Sequence, residues 1–284
     1  MSGSALTDQQ RPWLTPVIRA CLFTVLAFAG MIVGGALLFP LGTLLAATLS
    51  VFGAGAVAST VLLRIYEAGR LQLIGFMWHA AAARHFWFGV ALGAAGIAFI
   101  IGIPLLAEKA YYVATPNTPF NPGSLLLVSA CLLFGAIGEE LLFRGYAFQV
   151  LAGAFGTYKV LLPVSVLFAA AHAGNTAAST VGLFNTFLWG VLLGYALLRS
   201  GDLWLPIGLH FGWNVTMPLF GLKLSGFTMG LTGYAVEWKA SDLWSGGEYG
   251  PEGSLLTTLA VLGIGYLLHR VPINRQQLPL LLEE

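Results

Sequence analysis

The chain has 284 residues, 57% of them hydrophobic and 9% charged, with a formal net charge of +1 and a mean hydropathy of +0.82. Soluble domains carry about a quarter charged residues, so composition excludes an ordinary water-soluble protein and points to a polytopic membrane protein. The near-zero balance, without a basic patch, argues against a nucleic-acid partner; the lipid bilayer is the partner that composition dictates.

Residues 1–16 are polar and Pro-containing and read as a disordered or interfacial segment on the cytoplasmic side. The first apolar run, 20–39, is too long for the core of a cleaved signal peptide and is expected to span the membrane. Pro40 punctuates it, and 41–63 forms a second uncharged run closing a tight hairpin. Within 64–84, Arg70, Gln72, His79 and Arg84 alternate with Leu71, Ile74, Met77 and Trp78, which predicts an amphipathic helix lying in the interface. A third span covers 86–107. The Pro- and Asn-rich stretch 111–123 reads as a loop. Further spans are expected at 124–144, 160–172, 179–198, 203–219 and 254–268, with a polar turn at 173–178, a long loop at 221–253 and a cytoplasmic tail over 271–284. The expected fold class is an all-α polytopic membrane protein of about eight transmembrane helices plus one interfacial amphipathic helix. It forms a single transmembrane domain over 17–270, without internal repeats.

Positive charge tests that count. With eight spans and the N-terminus inside, the inner segments hold Arg11, Arg19, Arg64, Arg70, Arg84, Arg144, Lys159, Arg199, Arg270 and Arg275, and the outer ones only Lys109, Lys223 and Lys239. Ten against three is a strong positive-inside bias and places both termini in the cytoplasm. Cys21 and Cys131 both fall in apolar runs and read as small packing residues rather than a disulfide. His79, His85 and His269, near span ends, are expected to be solvated.

The run 134–146 is of another kind. It sets Glu139 and Glu140 side by side after an uncharged stretch from Ser124 to Gly138, with Arg144 one turn on. Ionisable groups at membrane depth are costly and mark function. Glu140 and Arg144 are spaced to pair on one helix face, whereas Glu139, rotated by about 100°, has no local partner. At about 1.5 Å rise per residue, Glu139 lies about 8 Å from the inner edge of the apolar core. By the same count His210 lies about 10 Å in, Asn214 a turn deeper, and His172 about 18 Å in. These groups are expected to share one cavity open to the cytoplasm. A carboxylate, two imidazoles and a carboxamide suit addition of water to a carbonyl: Glu139 takes a proton from water, His172 holds the same water, and His210 and Asn214 stabilise the developing oxyanion. No serine or cysteine stands in a triad arrangement with them.

Glu139-Glu140-Leu-Leu-Phe-Arg144, Phe168-Ala-Ala-Ala-His172 and His210-Phe-Gly-Trp-Asn214 resemble, in that order, the three motifs of the CAAX prenyl-endopeptidase and bacteriocin-processing intramembrane protease family (the CPBP or ABI group). The resemblance covers roughly 124–220. It implies an eight-helix fold with a cytoplasm-facing cavity, the first glutamate activating water, the Arg bracing the second, and His-Asn forming the oxyanion site. Phe168 takes a positioning role against His172. The family has been described both as metal-dependent and as glutamate-type, so a divalent metal such as zinc stands as an alternative, with Glu139, His172 and His210 as its ligands. The substrate class implied is a peptide or lipid-anchored protein, and the prenyl group in the family's name is not carried over. A second function class stays open: a membrane immunity or scaffold protein that binds a peptide in the same cavity without cleaving it. A transporter would show repeated interrupted helices, and none is seen.

Overall fold

The computed structural model describes residues 13–281, so the N-terminal segment expected over 1–16 lies mostly outside the described residues. The chain is 73% helical. In order, its main elements are α1 (Leu14–Leu38), α2 (Thr43–Tyr66), α3 (Ala80–Leu106), β1 (Ala110–Ala114), α4 (Pro122–Arg144), α5 (Tyr146–Phe155), α6 (Thr157–Ala171), α7 (Thr180–Ser200), α8 (Trp204–Leu219), β2 (Tyr234–Trp238), α9 (Asp242–Ser245) and α10 (Leu255–Arg270).

All eight apolar runs are helical, but among the described residues five segments have spanning length and apolarity: Leu14–Leu41, Thr43–Tyr66, Ala80–Leu106, Pro122–Phe155 and Thr180–Ser200. The helices α6, α8 and α10 hold 15, 16 and 16 residues. Each rises about 24 Å or less, short of an apolar core of about 30 Å. The chain is a membrane protein, in which α8 is the most enclosed of the three short helices.

Local chemistry sets the helix ends. The Asn121 side chain accepts from Ser124 N, with Pro122 in the first turn of α4. Ser179 and Ser254 cap α7 and α10 through Gly182 N and Thr257 N, and Gly201, at φ 69°, ends α7 in the left-handed region. The closest helix pair is α3 with α8. A Cβ on Gly93 would lie 2.5 Å from both Leu209 O and Trp213 N, and one on Gly212 would strike the Val90 carbonyl. Small residues at such crossings let backbones touch where no hydrophobic drive exists between helices.

Several expectations are corrected. No amphipathic helix occupies 64–84: α2 runs on to Tyr66, a single 3-10 turn covers Leu71–Ile74, and α3 already begins at Ala80. The reason is tertiary. Ile74 is fully buried, and Gln149, itself buried in α5, donates its amide to Ile74 O and Arg144 O, both at 3.0 Å. The segment is thus tied to the helix bundle instead of floating on an interface. His85 is not solvated. It is buried and pairs with Asp202 at 2.6 Å, while the other Asp202 oxygen accepts from Trp204 N and Leu205 N at the start of α8. His79 caps α3 by accepting from Ala82 N; His269 is exposed, as expected. Cys131 is buried but Cys21 is exposed on α1. The two expected loops contribute an antiparallel ribbon, with Ala110 opposite Trp238 and Ala114 opposite Tyr234. From the tail, Gln276 N donates to Ser200 O, and Leu278 and Leu280 are buried.

The α3–α8 crossing gives a direct test. Gly93→Val is expected to lower stability by about 2 kcal/mol or more through overpacking, read as a drop in thermal midpoint in detergent. A variant as stable as wild type would show that the crossing tolerates a side chain.

Candidate active site

Three helices supply the site: α4 brings Glu139, Glu140 and Arg144; α6 brings Phe168 and ends at His172; α8 brings His210 and Asn214. Glu140 is completely buried and Arg144 almost so. Arg144 Nη1 donates to Glu140 Oε1 at 3.2 Å, and Nη2 donates to Gly190 O at 3.0 Å. The guanidinium carbon lies 4.5 Å from the centre of the Phe168 ring, a desolvated cation–π contact. The same Glu140 Oε1 accepts from His210 Nδ1 at 3.0 Å. A carboxylate only accepts, so in the neutral His210 ring the proton sits on Nδ1 and the Nε2 lone pair faces away from Glu140.

His172 is fixed in a parallel way. Its Nδ1 lies 2.8 Å from Phe168 O, a carbonyl that can only accept, so Nδ1 donates and Nε2 is again the free position. Its ring packs 4.7 Å from the Phe168 ring, centre to centre, and Phe168 lies edge-on to His210 at 6.2 Å. Both free Nε2 atoms converge on one atom: Glu139 Oε2 lies 3.8 Å from His172 Nε2 and 3.8 Å from His210 Nε2. That oxygen is buried yet has no hydrogen-bond partner. An unsatisfied buried acceptor is costly, and 3.8 Å is too long for a direct bond but suits a bridging water. The Glu139 and His172 side chains keep 28% and 20% of their exposure against none for Glu140, so the site has a wet side at Glu139 and a dry side at Glu140.

The structure therefore brings Glu139, Glu140, Arg144, Phe168, His172 and His210 into one cluster. Counting residues placed His172 about 10 Å deeper than Glu139; the 3.8 Å between their side chains shows that the two reach a common level. Asn214 lies one turn beyond His210 on the same helix face and is half-buried. Sequence reasoning missed two contacts that matter here, His210 to Glu140 and Arg144 to Gly190 O, because both join helices far apart in the chain.

A divalent ion would have to be held by Glu139, His172 and His210. Two imidazole lone pairs and a carboxylate are zinc donors by type. Their 3.8 Å separations exceed the edge of a zinc tetrahedron, about 3.4 Å for bonds near 2.1 Å. Among the described residues, no group of three or more His, Cys, Asp and Glu is arranged to hold an ion.

Residues 121–216 match the family model described as type II CAAX prenyl endopeptidase Rce1-like. The resemblance to the CAAX-protease family is shown over that segment. It holds every residue of the cluster and Asn214. The chain is also 29% identical over 164 residues to an Escherichia coli protein described only as an uncharacterized 24.3 kDa protein, covering 54% of this chain and 67% of the relative. No solved structure matches.

The bracing pair generates a stability prediction. Arg144→Met leaves Glu140 buried with His210 alone, and about 3–5 kcal/mol of stability is expected to be lost. Adding Glu140→Gln should recover part of that loss, since no uncompensated charge then remains. Thermal unfolding of the two variants in detergent checks both statements.

Proposed function

We propose that the protein is a membrane endopeptidase that hydrolyses a peptide bond of a membrane-associated substrate with water activated by Glu139. The observation that carries this reading is the buried, unpartnered Glu139 oxygen equidistant from two imidazole nitrogens whose opposite sides are already engaged. That arrangement holds a polarised water and leaves its oxygen lone pair for attack. The family match over the same segment supports a protease over other hydrolases.

In the proposed reaction, Glu139 accepts a proton from the water while the water oxygen bonds to the scissile carbonyl carbon. The carbonyl π pair moves onto oxygen, where the Asn214 amide donates to it. His210 enters the reaction doubly protonated, with Glu140 as its counter-charge, and adds a second donor from Nε2, while the two water hydrogens go to Glu139 and His172. Collapse of the tetrahedral intermediate breaks the C–N bond, and the proton held on Glu139 passes to the leaving amine. His172 keeps the water on line and shares its proton. Phe168, Glu140 and Arg144 position the two rings without touching substrate. The spacing of the donor set carries no step through a metal ion, so chelation is expected to leave cleavage intact. The site is read as opening to the cytoplasm, on the side that carries the arginines, and the proposal concerns peptide-bond chemistry and not a prenyl group.

The deciding measurement compares peptide termini by mass spectrometry in membranes from cells expressing wild type or Glu139→Gln at equal, folded levels. Loss of a general base costs about 10²–10⁴ in rate, so termini that depend on the wild-type carboxylate are expected to vanish in the variant. Identical profiles would sink the enzyme reading in favour of a peptide-binding immunity or scaffold protein. On a cleaved peptide, Asn214→Ala is expected to lower kcat by about 10²–10³ with little change in KM, as for removal of one oxyanion donor; an unchanged kcat would remove Asn214 from the reaction.

A further inference from the structure

A cavity of about 390 Å³, lined by none of the residues of the Glu139 cluster, lies at the end of the bundle where α3 stops and the β1–β2 ribbon begins. Ile103, Pro104 and Ala107 of α3 and Leu256 of α10 form its apolar wall, and the only ionisable groups lining it are Lys109 and Lys239. Of its lining residues Ile103 and Trp244 are exposed apolar side chains, and their chain neighbourhood adds exposed Leu106 and Leu243. A mouth of that composition opens to lipid or to the interface rather than to bulk water, and an exposed Trp there is a usual interfacial anchor.

The ribbon explains why two lysines meet. With Ala110 opposite Trp238, the next pair outward sets Lys109 opposite Lys239, and Lys239 N donates to Lys109 O at 2.8 Å. Like charges directly across a ribbon are unfavourable. Neither lysine has an ion pair among the described residues. Lys239 Nζ rests 4.9 Å from the centre of the Tyr111 ring, and the Glu237 carboxylate on that face accepts from the Tyr111 hydroxyl at 2.6 Å and forms no ion pair with either lysine. Tyr111 is exposed, and its hydroxyl pKa is raised by that hydrogen bond and by the Glu237 charge, so the phenol supplies no compensating negative charge. Two adjacent ammonium groups, neither in an ion pair among the described residues, line a cavity that is otherwise largely apolar, and that combination suits an anion with a hydrocarbon tail.

We propose that this cavity binds an anionic phospholipid, with one acyl chain along Ile103, Pro104, Ala107 and Leu256 and the phosphate between Lys109 and Lys239. The site is separate from the peptide-bond chemistry and does not rest on it. It gives the ribbon a role as the clamp on a lipid headgroup, at the membrane face opposite the arginine-rich one.

The test uses the purified full chain in detergent, with native mass spectrometry counting retained phosphatidylglycerol and phosphatidylcholine over a titration. Wild type is expected to retain phosphatidylglycerol at least about tenfold better, from two lysines near one anionic group. Lys109→Gln with Lys239→Gln should abolish that preference without moving the thermal midpoint. Ala107→Trp, which fills the cavity and keeps both charges, should remove bound lipid of either kind, and Lys109→Gln alone serves if the double variant is unstable. Equal retention of the two lipids by wild type, or an unchanged preference in the lysine variant, overturns the proposal. Inorganic phosphate supplies the third arm: lysine-dependent displacement of phosphatidylglycerol by millimolar phosphate, with no effect of Ala107→Trp, would show an anion site without a lipid tail and would likewise overturn it.

Discussion

The burial of Glu140 is the constraint on which the site depends. A carboxylate with no solvent exposure is sustainable only if charged or strongly polarised donors meet it, and the fold spends Arg144 from its own helix and His210 from α8 on a single oxygen. Arg144 in turn is held by the Gly190 carbonyl and the Phe168 ring. One buried acid thus fixes the mutual placement of α4, α6, α7 and α8. Because that acid can only accept, it also fixes which nitrogen of His210 faces Glu139. Two neighbouring glutamates acquire opposite tasks through this asymmetry: one is dry and held at a single oxygen by Arg144 and His210, its second oxygen buried without a partner, the other lacks any direct bond and is half-wet.

The helix that carries His210 and Asn214 is held along its whole length. At its start, Asp202 caps the first turn and is itself clamped by His85. In the middle, Gly93 and Gly212 allow contact with α3 at backbone distance. Further along, Trp213 donates its ring N–H to Glu252, whose other oxygen accepts from Ser225, so the segment 221–253 is anchored to the same helix. With three restraints of different chemistry, α8 has little freedom to rotate. A ring nitrogen aimed across a 3.8 Å gap needs that, since a small rotation would lose the water position.

Most of the site was legible because membrane depth makes charge conspicuous. Glu139, Glu140, His172 and His210 stand out of apolar runs, and helical spacing alone separated the paired glutamate from the free one. The helical character of the eight runs followed from the same contrast. What was hidden depends on contacts between distant segments. Within 64–84 only Gly69 and Gly75, the latter at φ 76°, mark a break locally, and the rest of its structure comes from Gln149 and from Ile74 burial. His85 looked like one more interfacial residue beside Arg84 until Asp202, 117 positions away, met it. The β1–β2 ribbon joins two stretches more than a hundred residues apart; Ala110–Ala114 and Tyr234–Trp238 do carry strand-favouring Tyr, Val and Trp, but each is only five residues long inside a loop rich in Gly, Pro or Asn. Short helices also misled the depth count, which assumed each begins at the membrane edge.

The short α6 has a physical reason to end where it does. His172 N donates to Ala169 O, a tightened final turn that leaves the Phe168 carbonyl without its usual backbone partner. The His172 side chain then takes that carbonyl through Nδ1. A helix end inside a membrane protein must satisfy its last carbonyls internally, and here the residue that caps the helix is the one that faces Glu139. The turn beyond it closes on itself, with Asn175 N donating to His172 O and Ala178 N to Asn175 O. Capping and site geometry are therefore one requirement: the bond that makes the helix end tolerable also fixes the ring so that its second nitrogen points at Glu139.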